Sequence, residues 1–304
     1  MANGSIITDS GKKIILNRSY KASPDYTVPT KFKLGISNGT PNVGDTDLDD
    51  TIPITNGTVN DDGDNTLTGS SGGNNTTDNT TTYKIGGGVS DDTSQNLIAN
   101  VSNATKIWTI SNLAANGTNV TSTLFGGVWI YIKDATAYAK FLSAGTALTL
   151  KLGSDSSNYY SITRTKAQLA VGWNWVADHD TAVSSWTETG TVAGNVDTYI
   201  IEIVTNNATD TFVAGDVLCD LLRTWSVANT TKTFETSYPS LDETNHEVEI
   251  RCAISSVQAN GFDLDGFCLV NTDGTVLMHS EDTFTDESKS DTDQFTFIVK
   301  DRLI

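Results

Sequence analysis

The chain has 304 residues, of which 37% are hydrophobic and 18% charged, with a formal net charge of −18. A field of that sign repels nucleic-acid phosphates and anionic lipid, which argues against genome binding and membrane-surface attachment. The polar remainder is dominated by Thr, Ser, Asn and Gly, residues that feed strands and turns rather than helices, so the expected fold class is mostly β.

In chain order, Asp9-Ser10-Gly11 is a helix-start pattern, and the following KKIILNRSY forms a short helix or a strand. Phe32-Lys33-Leu34-Gly35-Ile36 alternates and predicts a strand running into a Ser-Asn-Gly turn. Between Thr55 and Ala104 large apolar residues nearly vanish, which predicts a polar connecting segment. All six Trp then fall between positions 108 and 225, while all five Pro lie outside that stretch, so the middle is a domain of its own. Towards the end, Val248, Ile250, Cys252 and Ile254 share one face of a strand over 247–254. A hairpin is expected around Thr272-Asp273-Gly274, and a last strand over 295–299. Each end alone has too few strands to close a core. The organisation expected is a small β-sandwich made by 1–55 with 227–304, a connecting segment 56–104, and an inserted jelly-roll β-sandwich over 105–226.

The N-terminal MANGSIITDSGKK carries no apolar run of the signal-peptide kind, and no window is apolar enough to span a bilayer. The expectation is synthesis in a host cytoplasm without membrane insertion, with Cys219, Cys252 and Cys268 as reduced thiols.

Two resemblances attach to this layout. IITDSGK, FKLGISNGTP and DTDL near the start, with EVEIR and VQANGFDLDGFCLVNTDGT near the end, resemble the two ends of a family of tailed-phage head- and tail-fibre or adaptor proteins. That resemblance implies a virion protein, a homo-oligomer with a trimer favoured, and other capsid or tail proteins as partners. It implies no catalytic residues. In the middle, LKLGSDSSNYY, VGWNW, 197–203 and DVLCDLLR resemble a carbohydrate-binding jelly roll. Such jelly rolls serve both as glycan binders and as inert spacers.

The motifs that carry chemistry are few. Gly35-Ile-Ser-Asn-Gly39 has the letters of a serine-hydrolase nucleophile elbow, but Thr40-Pro41 cannot open the helix that chemistry needs. His179, His246 and His279 are scattered, and Asp178-His179-Asp180 reads as an exposed loop. Asn60–Gly69 with Gly72-Gly73-Asn74 is one degenerate copy of a calcium-binding repeat where several are required. The jelly-roll resemblance implies a structural calcium at Asp220, with no cofactor otherwise required. For glycan, the residues singled out are Trp186, Trp175 and Asp178. Trp173 and Trp175 share a strand face, with Trp173 expected in the core and Trp186, after Ser184-Ser185, the better candidate for exposure. The plain reading places every Trp in the core.

Three functions follow. The first is a non-enzymatic structural protein of a phage virion, such as a head fibre, capsid decoration or neck/tail adaptor, whose jelly roll projects towards host-surface glycan. The second is a receptor-binding tail fibre. The third is a glycan-degrading enzyme, which would need two carboxylates facing across a cleft at about 5–10 Å.

Overall fold

The structure, a computed structural model, describes residues 6–36, 40–55, 57–61, 68–69, 75–80, 83–85, 93–110, 118–119, 124–179, 181–192, 195–280 and 287–302. Strand accounts for 46% and helix for 12%, and the sheets are antiparallel, so the fold is mostly β. The chain divides into two compact units, Met1–Thr55 with Val227–Ile304, and Asn56–Ser226. Among the described residues no helix is long and apolar enough to cross a membrane.

In the unit made from both ends, one sheet has the order Ile6–Ile7, Val276–Ser280, Gly266–Asn271, Pro29–Gly35 and Lys232–Thr233. A second sheet holds Ser240–Asp242, Glu247–Ile254 and Phe295–Arg302. Alternation along Glu247–Ile254 buries Ile250, Cys252 and Ile254, as their spacing predicts. The Phe267 ring links the sheets, stacking on Phe32 at 6.1 Å and on Phe297 at 5.2 Å. The hairpin turn closes through Gly274 at φ 83°, a conformation glycine adopts without penalty.

KKIILNRSY is helical within Asp9–Tyr20. Thr8 caps that helix, its Oγ1 accepting from the Gly11 amide at 2.9 Å and donating to the Val276 carbonyl at 2.6 Å. One hydroxyl therefore ends the helix and ties it to a strand from the far end of the sequence. Gly11 permits that approach, because a Cβ there would lie 2.1 Å from the Leu277 carbonyl oxygen. Cys219, Cys252 and Cys268 are buried and free of disulfides, and burial pushes the Cys252 thiol up.

The inserted unit is a two-sheet sandwich. Its first sheet has the order Thr187–Thr189, Tyr159–Thr165, Thr146–Gly153, Thr198–Val204, Thr105–Ile110 and Thr68–Gly69. The second has the order Gly172–Ala177, Leu124–Ile132, Val217–Ser226, Ser94–Ala99 and Asn75–Thr80, with Thr58–Asp61 also paired to Val217–Ser226. One core cluster spans both, with Leu148, Leu150, Tyr199 and Ile201 from the first sheet and Val128, Ile130, Val176 and Val217 from the second.

Residues 56–104 are thus more than a connector, contrary to expectation. They supply strands to both sheets, and Leu97 and Ala99 are fully buried. Composition misleads here because a short strand needs only a few core-facing apolar side chains. The calcium-repeat pattern over 60–74 falls largely outside the described residues, as do Ser37, Asn38 and Gly39 of the G-x-S-x-G letters and Asp180.

Candidate functional site

The second sheet of the inserted unit has one face in the core and another lined by aromatic rings. Strand register sets the second face. Trp173 lies opposite Tyr131 and Trp175 opposite Trp129. On the other side of the same central strand, Tyr131 lies opposite Leu218, Trp129 opposite Asp220, Gly127 opposite Arg223 and Phe125 opposite Trp225. Because side chains alternate, these residues share a face, while Val128, Ile130 and Val176 take the other.

The rings meet along this face. Tyr131 approaches Trp173 at 5.2 Å and stacks on Tyr83 at 4.6 Å. Trp175 lies 5.1 Å from Trp129 and 5.6 Å from Trp225, and Trp225 stacks on Phe125 at 6.0 Å. The Arg223 guanidinium sits 4.9 Å from the Trp175 ring, in cation–π range. Trp129 and Trp225 are buried, whereas Trp173, Trp175, Tyr131 and Phe125 are half-exposed and Tyr83 is 40% exposed. The face therefore has a closed centre and an open aromatic margin.

Two backbone features build it. Between Asp220 and Arg223 the pairing register slips by one residue, with Leu221 at φ 46°. Strict alternation from Asp220 would send Arg223 into the core, and the extra residue turns it back onto the aromatic face. The left-handed leucine costs on the order of 1 kcal/mol or more, which the surrounding strand pairing holds in place. Opposite Arg223, a Cβ at Gly127 would lie 2.7 Å from Ala177 Cβ and 2.8 Å from the Trp175 ring. Lacking one, Gly127 leaves the indole room to lie flat across the strand.

Asp220 is buried, its Oδ2 accepting from the Ile85 amide at 2.8 Å and its Oδ1 from the Leu221 amide at 2.7 Å. Burial pulls the Arg223 guanidinium down to about 9, while the Asp220 charge works to hold it up. At Asp220, where the jelly-roll resemblance implies a calcium, both carboxylate oxygens accept backbone donors, and among the described residues no three His, Cys, Asp or Glu side chains cluster as metal ligands. At the open margin burial raises the Tyr131 phenol, with Tyr83 and Asp134 adding to the shift, so its hydroxyl stays protonated.

The three residues singled out for glycan part company. Trp175 lies on the aromatic face. Asp178 follows the end of its strand, its carboxylate accepting from the Thr181 amide at 3.0 Å and from the Thr181 hydroxyl, which closes a turn. Trp186 is buried in the core at 6% exposure, as the all-core reading has it, which corrects its choice as a glycan residue. The turn Val183–Ser185 delivers it inward, and Gly126 makes the space, since a Cβ there would lie 2.7 Å from Leu152 and 3.5 Å from Trp186. Trp173, expected in the core, is half-exposed against Tyr131. Tyr131, Trp129, Phe125, Trp225 and Arg223 complete the face, and for the central strand the sequence signal is that every second residue of LFGGVWIYI except glycine is aromatic on one parity.

No protein-family model matches the chain, and no curated protein matches it. Among solved structures, the chain is similar to SGBP-B from a complex xyloglucan utilization locus in Bacteroides uniformis. That match has a TM-score of 0.31 and 11% identity, over 55% of this chain and about half of the other, 49%. It is also similar to CBM35 from Cellvibrio japonicus Abf62, with a TM-score of 0.25 and 14% identity over 57% of this chain and 91% of that one.

Proposed function

We propose that the inserted sandwich binds glycan on its aromatic face, without catalysis, and that the unit made from both chain ends holds it on a phage virion. The observation that carries the glycan reading is the open margin formed by Trp173, Tyr131 and Trp175. Flat half-exposed rings in strand register match the C–H faces of pyranose units, and a core has no use for rings left part in water. The resemblance of the chain ends to fibre and adaptor proteins supplies the virion setting. Hydrolysis fits less well, because Asp220, the acid at the centre of this face, has both oxygens committed to backbone amides.

The test is a glycan array probed with the intact chain, followed by titration calorimetry on the strongest neutral oligosaccharide. Trp173→Ala and Trp175→Ala should each weaken binding by about 10-fold or more. Affinity unchanged by both substitutions would remove the face from the account. Product release from the same oligosaccharide would replace binding with catalysis.

A further inference from the structure

The terminal unit carries a second surface that the glycan reading does not use. A groove of about 520 Å³ opens between Ile7, Ile15 and Val248 and the 71%-exposed Leu241. Its rim is acidic, with Asp242, Glu243 and Asp301 around the apolar floor. The helix that forms one wall has the opposite character. Gly11 and Ile14 face the sheet and Ile15 lines the groove, leaving Leu16 at 60% and Tyr20 at 85% exposure on the outward side. Exposed Lys12 and Lys13 flank that apolar stripe.

Soluble chains seldom leave several large apolar side chains exposed within two helical turns unless something covers them. The occupant is indicated by charge. In a chain with 37 acidic against 19 basic residues, Lys12, Lys13, Arg18 and Lys21 fall within one ten-residue stretch. The scarce basic charge therefore sits beside apolar side chains, and an acidic rim surrounds an apolar groove on the same unit. Each surface is what the other lacks.

We infer that the groove is a self-association site, in which the Lys13–Leu16–Tyr20 side of the helix in one copy enters the acidic, apolar groove of a second copy. The pairing removes Leu16 and Leu241 from water and sets Lys13 against Glu243, so it has both an apolar centre and a charge code. It acts whether or not the aromatic face of the other unit binds glycan.

Sedimentation equilibrium of the intact chain tests it, with melting temperature as a folding control. The wild type should self-associate, and Leu241→Asp or Leu16→Asp should each weaken association about 10-fold or more without changing the melt, since both side chains are exposed. Lys13→Glu and Glu243→Lys should each weaken it through like-charge contact. Carried together in one chain, they should restore association to within about 3-fold of wild type. A monomer at every concentration, an oligomer indifferent to both leucine substitutions, or a double variant no better than the single ones would each overturn the assignment.

Discussion

The two faces of the sheet carrying Trp175 obey different rules. Towards the core it presents Val128, Ile130, Ile132, Val176, Val217 and Cys219, aliphatic or sulfur side chains that interdigitate with the opposing sheet. On its other side it presents Trp173, Trp175, Trp129, Tyr131, Phe125 and Trp225, with Arg223 and Asp220 among them. The first face closes a sandwich, and a sandwich needs nothing more. The second invests a strand bulge, a left-handed leucine and two buried charged side chains, Arg223 and Asp220, in arranging rings of which several stay half-exposed. Adjacent glycines mark the boundary, with Gly126 making room on the core side and Gly127 on the aromatic side. An arrangement that folding does not require is where binding is to be sought.

The largest expected effect lies on the core side. Trp186→Ala should destabilise the inserted unit by about 3–5 kcal/mol in denaturant titration, with glycan affinity of the folded fraction unchanged. Loss of affinity without loss of stability would put Trp186 back at the binding surface and dissolve the contrast. Next is Asp220→Ala, which strips the buried Arg223 of its neighbouring carboxylate and should cost about 3–5 kcal/mol. A chelator should leave the wild-type melting temperature where it is, and a drop would restore a metal to Asp220. Smaller again is Gly127→Ala, at about 1–3 kcal/mol from overpacking against Ala177 and the Trp175 ring. That substitution should also weaken glycan binding, because Trp175 must move. Gly126→Ala should not affect binding, since its Cβ would press on the end of the Leu152 side chain in the core.

These pairs also show what the sequence could reveal. The mostly-β class, the strand over Glu247–Ile254 and the hairpin through Gly274 follow from local periodicity and turn chemistry, and all are present, whereas periodicity left helix and strand both open for KKIILNRSY and the structure makes it helical. Trp173 and Trp186 show how poorly chain neighbours guide side-chain placement. Val171 and Gly172 suggest a buried Trp173, yet Val171 is itself 51% exposed. Ser184 and Ser185 suggest an exposed Trp186, yet they sit in a turn that ends by inserting the next residue. The placement of Arg223 was beyond periodicity altogether, since the extra residue at Leu221 reverses the parity that alternation would predict. Strand partners fix such a bulge, and a single sequence does not print them.

The smallest effect is set by charges lying on neither face. Asp134 caps the helix Ala135–Lys140, and the Ala137 and Thr136 amides hold its carboxyl below the ordinary 3.8, with Lys133 and Lys140 adding to the shift. Asp155 is lowered in the same way by Asn158 and the Ser157 amide, and Glu249 of the terminal unit by Lys300 and Arg251. A carboxyl with a lowered folded pKa contributes stability that is fully present above its unfolded value and is lost as pH falls through the folded one. Melting temperature should therefore stay level from neutral pH down to about 5 and decline below about 4, and Asp134→Asn should make that decline shallower. Asp134 also acts on Tyr131 through its charge, so any tryptophan emission change that precedes the melt should be absent from Asp134→Asn. An early shift that persists in that variant would mean that the aromatic face responds to another titrating group.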